Sequence, residues 1–140
     1  MALLEKYEIK EKGYDPFLIR EGWQVAQLNA DENQRVENIV RIDIHYQTDE
    51  VFVLTKGNAV LITAAITDNE PRFELELMQP GITYNVPVKT WHNIAMQEGS
   101  EVIIVEKDNT HLGDFEFFDL SKEKQSQLVE RVNELFNKVI

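Results

Sequence analysis

An all-β fold with one C-terminal α-helix is predicted by three features of the sequence. Runs of strand length, rich in Val, Ile, Phe, Tyr and Thr, recur between closely spaced turn signals. Several of these runs alternate apolar and polar residues with the period of two that a half-buried strand shows. Only after Leu120 does the apolar spacing lengthen to that of a helix. Regular short strands joined by turns point to an antiparallel sandwich or β-barrel.

Turn signals fall at 13–16, 29–33, 47–49, 56–58, 67–71, 79–81, 98–100 and 111–114. They draw on Gly, Pro, Asn and Asp, which supply left-handed backbone, a fixed φ or local side-chain hydrogen bonds. The runs between them predict strands over 23–28, 39–46, 51–55, 59–66, 72–78, 83–86, 91–97, 101–106 and 115–118. In FELELM, Phe73, Leu75 and Leu77 share one face while Glu74 and Glu76 share the other. In VIIVE both faces are apolar, which predicts a strand covered on both sides. Ser121 is placed to cap a helix over 122–138, with Leu128, Val132, Leu135, Phe136 and Val139 forming one stripe. That helix is expected on the outside of the barrel or across a dimer contact.

Composition narrows the function. The 140 residues fit a single domain over 1–140, with the barrel at about 20–120 and the helix at about 121–139. No apolar run approaches the roughly 18 residues of a membrane span. The opening MALLEKYEIKEKG interleaves charged and apolar residues and lacks the apolar core of a secretory leader, so a cytoplasmic location is expected. Cysteine is absent, which excludes disulfides, thiolate metal sites and cysteine nucleophiles. The formal net charge is −11 and no Lys/Arg stripe is present, so neither nucleic acid nor an anionic membrane is an expected partner.

The chemistry concentrates in two segments, IDIHYQTDEVFVLTKG over 42–57 and GITYNVPVKTWHNI over 81–94. Residues two apart on a strand point the same way, so Asp43 and His45 share a face, with Arg41 in the same phase. Beyond the QTD turn, Glu50, Phe52 and Leu54 share a face; on the later strand His92 is in phase with Thr90, Ile94 and Met96. If these faces meet inside a barrel, His45, Glu50 and His92 converge. Two imidazoles and a carboxylate suit a divalent Fe, Mn, Ni or Zn ion and leave positions open for water or substrate.

These two segments resemble the paired motifs of the cupin superfamily. The first motif, G-x5-H-x-H-x3–4-E-x6-G, appears as Asp43-x-His45-x4-Glu50-x6-Gly57, with Asp43 for the first His and Glu37 for the leading Gly. The second, G-x5-P-x-G-x2-H-x3-N, appears as Gly81-x5-Pro87-x-Lys89-x2-His92-x3-Met96, with Lys89 for Gly and Met96 for Asn. The resemblance implies a small single-domain cupin-type β-barrel, a double-stranded antiparallel jelly roll carrying a C-terminal helix. It also implies metal ligands at His45, Glu50, His92 and Asp43. An Asp carboxylate reaches less far than an imidazole, so Asp43 could instead hold a metal-bound water or orient His45. Two carboxylates and two imidazoles favour a hard ion such as Mn(II) or Fe(II).

Around that set, Phe52, Leu54, Thr90, Ile94 and Met96 are expected to line a substrate pocket. Arg41 could bind a substrate anion through its planar fork or pair with Asp43. His111 has no companion in phase and is expected at the surface, Tyr84 has no assigned role, and Trp23 and Trp91 are expected as core or interface aromatics. The family resemblance implies dioxygenase, isomerase, decarboxylase or lyase chemistry on a small organic molecule. The alternatives are a non-catalytic or metal-free ligand-binding module and a metal-independent sugar isomerase. Exposed strand edges also lead us to expect a homodimer, through the N-terminal strands or the final helix.

Overall fold

The computed structural model describes residues 3–139. Two five-stranded antiparallel sheets face each other without closing. In the first sheet, β1 (Gly13–Arg20) pairs with β2 (Trp23–Asn29), followed by β9 (Glu101–Glu106), β4 (Glu50–Lys56) and β7 (Thr83–Val86). In the second, β10 (Glu116–Asp119) pairs with β3 (Arg41–Ile44), followed by β8 (Trp91–Met96), β5 (Ala59–Thr67) and β6 (Glu70–Leu77). The alternation between sheets along the chain is that of a jelly roll. The predicted strands all occur, most within a residue or two of their expected ends.

One strand was not expected. Residues 13–16 read as a turn, yet they open β1. Pro16 sits where the β1–β2 register slips, between Asp15 and Leu18. On an edge strand the missing proline N–H faces no partner, so a bulge absorbs it without breaking the sheet. The Asp68–Asn69 turn between β5 and β6 has both residues at positive φ, 52° and 62°, as a two-residue hairpin of matching twist requires.

Two positions of the paired motifs have local backbone reasons. Gly57 has φ 79°, and a Cβ there would lie 2.2 Å from Ser100 Oγ and 2.7 Å from Ser100 Cα. Only glycine fits. Lys89, which stands where the second motif has Gly, keeps the left-handed backbone at φ 64° and donates its N–H to the His45 carbonyl at 2.8 Å. The turn survives the substitution at a cost of about 1–2 kcal/mol of strain.

The apolar residues form two layers. Between the sheets lie Leu28, Phe52, Leu54, Leu61, Ile94, Met96, Val102 and Ile104. Outside the second sheet, Ile42, Val60, Ile62, Phe73 and Ala95 meet Leu128, Val132 and Phe136 of helix α1 (Lys122–Phe136). Ser121 caps α1 by accepting the Lys124 N–H at 3.1 Å. The helix stops short of the expected end: Leu135 is half-buried and Val139 is exposed beyond it. Its apolar stripe is thus spent on its own barrel, about 1.5–3 kcal/mol for each large side chain buried. Trp91 packs edge-on against Phe118 at 5.9 Å beside this outer layer, whereas Trp23 is exposed at the start of β2.

Candidate metal centre

Strand register brings the predicted ligands together. Asp43 of β3 lies opposite His92 of β8, and Glu50 begins β4 with its side chain turned inward. His45 follows the end of β3 and points into the same space. Glu50 Oε1 lies 2.9 Å from His45 Nε2 and 2.9 Å from His92 Nε2. Asp43 Oδ2 is farther off, 3.6 Å from His45 Nε2 and 3.8 Å from His92 Nε2.

The tautomers follow from the other ring nitrogens. His45 Nδ1 lies 2.6 Å from the Asp114 carbonyl and His92 Nδ1 lies 2.9 Å from the Thr90 carbonyl. A carbonyl only accepts, so both Nδ1 atoms carry hydrogen. In the neutral imidazoles both Nε2 lone pairs then face a carboxylate oxygen. Three electron-pair donors at this spacing need a cation between them, either a proton on each Nε2 or one metal ion. The same Nδ1–H to carbonyl arrangement is the one that orients metal-ligating histidines.

Without an ion, protons fill that role. Burial works against charged imidazole, but the Glu50 hydrogen bond and the surrounding carboxylates raise both His45 and His92 to about 9. Burial likewise opposes ionisation of Glu50, yet hydrogen bonds from the two imidazoles hold it down to about 2. Asp43 is raised, by burial first and then by the Glu50 charge, against the pull of the histidines.

A cavity of about 270 Å³ opens above these residues, walled by Leu28, Phe52, Ile94, Ile104, Phe115 and Phe117. Of the six residues expected at this pocket, five on its wall and Arg41 as an anion holder, Phe52 and Ile94 line it. Leu54 and Met96 share their strand face but lie one step deeper, sealed in the inner core at 3% and 2% exposure. Thr90 contributes only its carbonyl to His92 and lies on another surface, beside Trp91. Arg41 is exposed and forms no ion pair with Asp43; its guanidinium stacks over the Phe117 ring at 4.3 Å. Tyr84, whose role was open, packs against the inner core and accepts the Gln79 N–H on its hydroxyl.

Three neighbours of the site were not foreseen. Glu106 ends β9, buried, with Oε1 taking the Tyr14 hydroxyl at 2.7 Å and the Gln24 amide at 3.3 Å. Its Oε2 has no hydrogen-bond partner and lies 3.9 Å from His45 Nε2. Burial, then repulsion by Glu50, raise Glu106 to about 7. Tyr14 comes from β1, and burial followed by the Glu106 charge raises its phenol. His111, expected at the surface, lines the cavity instead and meets Gln24 Nε2 through Nδ1 at 3.2 Å. Glu106 left one usable signal: it is in phase with Val102 and Ile104, the inward face of a strand otherwise apolar.

No family model matches this chain, and no curated protein matches it. Solved structures do. A Bacillus halodurans protein is 14% identical over 79% of this chain and 80% of its own, with a TM-score of 0.54. An RmlC-like cupin family protein with a double-stranded β-helix fold from Methanocaldococcus jannaschii is 16% identical over 80% and 97%, at 0.51. Hydroquinone 1,2-dioxygenase from Sphingomonas is 9% identical over 71% and 68%, at 0.54. Some matched chains are longer: the protein spans 58% of Peruvianin-I from Thevetia peruviana, over 71% of its own length at 12% identity and TM-score 0.49. At these identities the likeness shows the fold.

Proposed function

We propose that this chain, which has the cupin fold, holds one divalent metal ion on His45, Glu50 and His92 and binds a small organic molecule beside it. The carrying observation is the pair of 2.9 Å contacts from Glu50 Oε1 to two imidazole nitrogens whose partner nitrogens are both committed to carbonyls. Donors at about 2.1 Å from one ion stand roughly 3.0 Å apart when at right angles, close to that spacing. Asp43, farther from both imidazoles and a quarter exposed, serves through a water. A ligand set without sulfur suits Mn(II), Fe(II), Ni(II) or Zn(II), with Mn(II) and Fe(II) favoured by the carboxylates.

The bound ion would supply Lewis acidity to a coordinated oxygen. The chain's own residues do the rest. Leu28, Phe52, Ile94 and Ile104 keep bulk water from the inner cavity wall, and Phe115 with Phe117 offers an aromatic rim. No Lys or Arg lines the cavity among the described residues, so the surroundings favour an uncharged or weakly anionic molecule over a phosphorylated one. Asp43 is the partly exposed carboxylate nearest the imidazoles and is placed to accept or return a proton. Dioxygenase, isomerase, decarboxylase or lyase chemistry would each fit this arrangement.

A second proposal, a metal-free ligand-binding barrel, draws on the same contacts, since protonated imidazoles satisfy Glu50 equally. Elemental analysis of tag-free protein before any chelator separates the two. About one equivalent of metal per chain, lost in His92→Ala, supports the metal site. No metal, even after reconstitution with each ion, supports the metal-free module. A homodimer remains part of the proposal: β1 is an edge strand, while α1 spends its apolar stripe within the chain. A monomer in gel filtration at micromolar concentration would remove it.

A further inference from the structure

Within the metal-site reading, and resting on it, we infer that Glu106 is a direct carboxylate donor to the ion, in preference to Asp43. Neither the paired motifs nor the strand phase of the other ligands includes this residue. It enters from β9, whose pairing with β4 sets it beside Glu50.

The two carboxylates differ in what else can satisfy them. Asp43 has a side chain 25% exposed, so water can hydrate its oxygens. The Glu106 side chain is 3% exposed, and its Oε2 is sealed from solvent without a protein partner. A buried carboxylate oxygen left unpaired is costly, and such an oxygen calls for an explanation. Its other oxygen is held by the Tyr14 hydroxyl and the Gln24 amide, which fix the carboxylate plane and leave Oε2 directed toward His45. Gln24 is itself anchored by accepting the Asn109 N–H at 2.8 Å. The carboxylate is thus braced on one side and open on the side of the imidazole and Glu50.

Glu106 is also within reach of the same ion. Glu106 Oε2 lies 3.9 Å from His45 Nε2, and the ligand atoms of His45, Glu50 and Glu106 all lie within 4.8 Å of one another. Asp43 Oδ2 lies 3.6 and 3.8 Å from the two imidazoles, so what separates the two carboxylates is their unequal access to water, not their distance. Register supports the pairing: Val51 of β4 faces Val105 of β9, so the next inward residues along, Glu50 and Glu106, approach from adjacent strands. A second carboxylate donor beside Glu50 adds negative charge and oxygen character, which strengthens the preference for Mn(II) over a softer ion.

The test is Mn(II) titration of the chelator-stripped full chain, comparing Glu106→Gln and Asp43→Asn with the parent, alongside thermal unfolding of each metal-free protein. Glu106→Gln is expected to weaken Mn(II) binding at least about tenfold, and Asp43→Asn less than that. Metal-free Glu106→Gln is expected to unfold at the same temperature as the parent or higher, because a sealed, half-unpaired carboxylate has been replaced by an amide. Mn(II) affinity of Glu106→Gln within about twofold of the parent would overturn the inference while leaving the metal site intact. A loss of affinity matched by a loss of metal-free stability would make Glu106 a structural brace and also overturn it. Should Glu106→Gln not fold, Glu106→Asp gives the same readout, its carboxylate drawn back by one methylene. A parent protein that takes up none of Mn(II), Fe(II), Ni(II) or Zn(II) would instead overturn the metal reading as a whole.

Discussion

The two ends of the space between the sheets are built from the same strands and have opposite character. Reading inward from the cavity, β4 presents Glu50, then Phe52, then Leu54; β8 presents His92, Ile94 and Met96; β9 presents Glu106, Ile104 and Val102. Each strand contributes one ionisable residue at one end and two apolar residues beyond it, on the same face. The deep layer is ordinary close packing, where Leu54, Met96 and Val102 are at most 3% exposed. The shallow layer buries Glu50, His92 and Glu106 almost as fully, at 7%, 4% and 6%. Equal burial therefore has unequal meaning. Apolar side chains gain from it, whereas ionisable ones are tolerable only with a counter-charge, a proton or an ion. The middle layer links the two, with the Phe52 ring set edge-on to the His92 ring at 6.4 Å.

The sharpest way to break this contrast is to disturb each end separately. Leu54→Ala should destabilise the protein by about 2–5 kcal/mol, since the close-packed end cannot refill the cavity. Its metal affinity, measured on the folded fraction, should stay near that of the parent. Chemical denaturation and metal titration of the same preparation check both halves. The next effect in size belongs to the polar end: His92→Ala should lower metal affinity at least a hundredfold, or roughly 2.8 kcal/mol, in competition against a chelator. Metal-free stability should fall as well, because buried Glu50 would keep only His45 to neutralise its charge.

A change of pH sharpens the comparison without mutation. Glu50, depressed to about 2, contributes stability present above its unfolded value of 4.5 and lost as pH falls toward 2. Glu106, raised to about 7, acts oppositely: its buried carboxyl is tolerated when protonated, so stability falls as pH climbs from 4.5 to 7. His45 and His92, raised to about 9, contribute stability that is complete below 6.5 and lost as pH rises to 9. The metal-free protein should therefore melt highest near pH 4.5–5 and progressively lower up to pH 9. Metal reverses the trend, since binding needs unprotonated imidazole and strengthens over the same range. Melting curves that are flat with pH in the metal-free form would count against the shared protons inferred at Glu50. The smallest effect lies outside the cavity: Lys89→Gly, which relieves a left-handed φ of 64°, should raise stability by about 0.5–1 kcal/mol.

Much of this architecture was legible beforehand. Strand phase alone put Glu50 with Phe52 and Leu54, and His92 with Ile94 and Met96, because side chains on a strand alternate whatever the strand packs against. The α1 stripe and its Ser121 cap were readable for the same local reason. Phase does not report depth, which is why Leu54 and Met96 were expected in the pocket wall and lie beneath it. Arg41 shows a second gap: it is in phase with Asp43, but a long side chain at the end of a strand can swing out, and here it meets Phe117. Tyr14 escaped notice because Gly13 and Pro16 mark a turn in most settings, and only an edge position lets them begin a strand. His111 sits in a loop whose place is set by Asn109 bonding to Gln24, a contact across 85 residues.

By itself, then, the chain determined the things that depend on near neighbours: strands and their phase, the helix and its cap, the two motif segments, and an acidic net charge. The tertiary structure decided which strand ends meet. Pairing of β9 between β2 and β4 brought Glu106 beside Glu50, and pairing of β1 with β2 brought Tyr14 to brace it. Those meetings join residues far apart in the chain, 92 positions for Tyr14 and Glu106, through the burial of apolar faces that carry no information about which ionisable residue stands at their end.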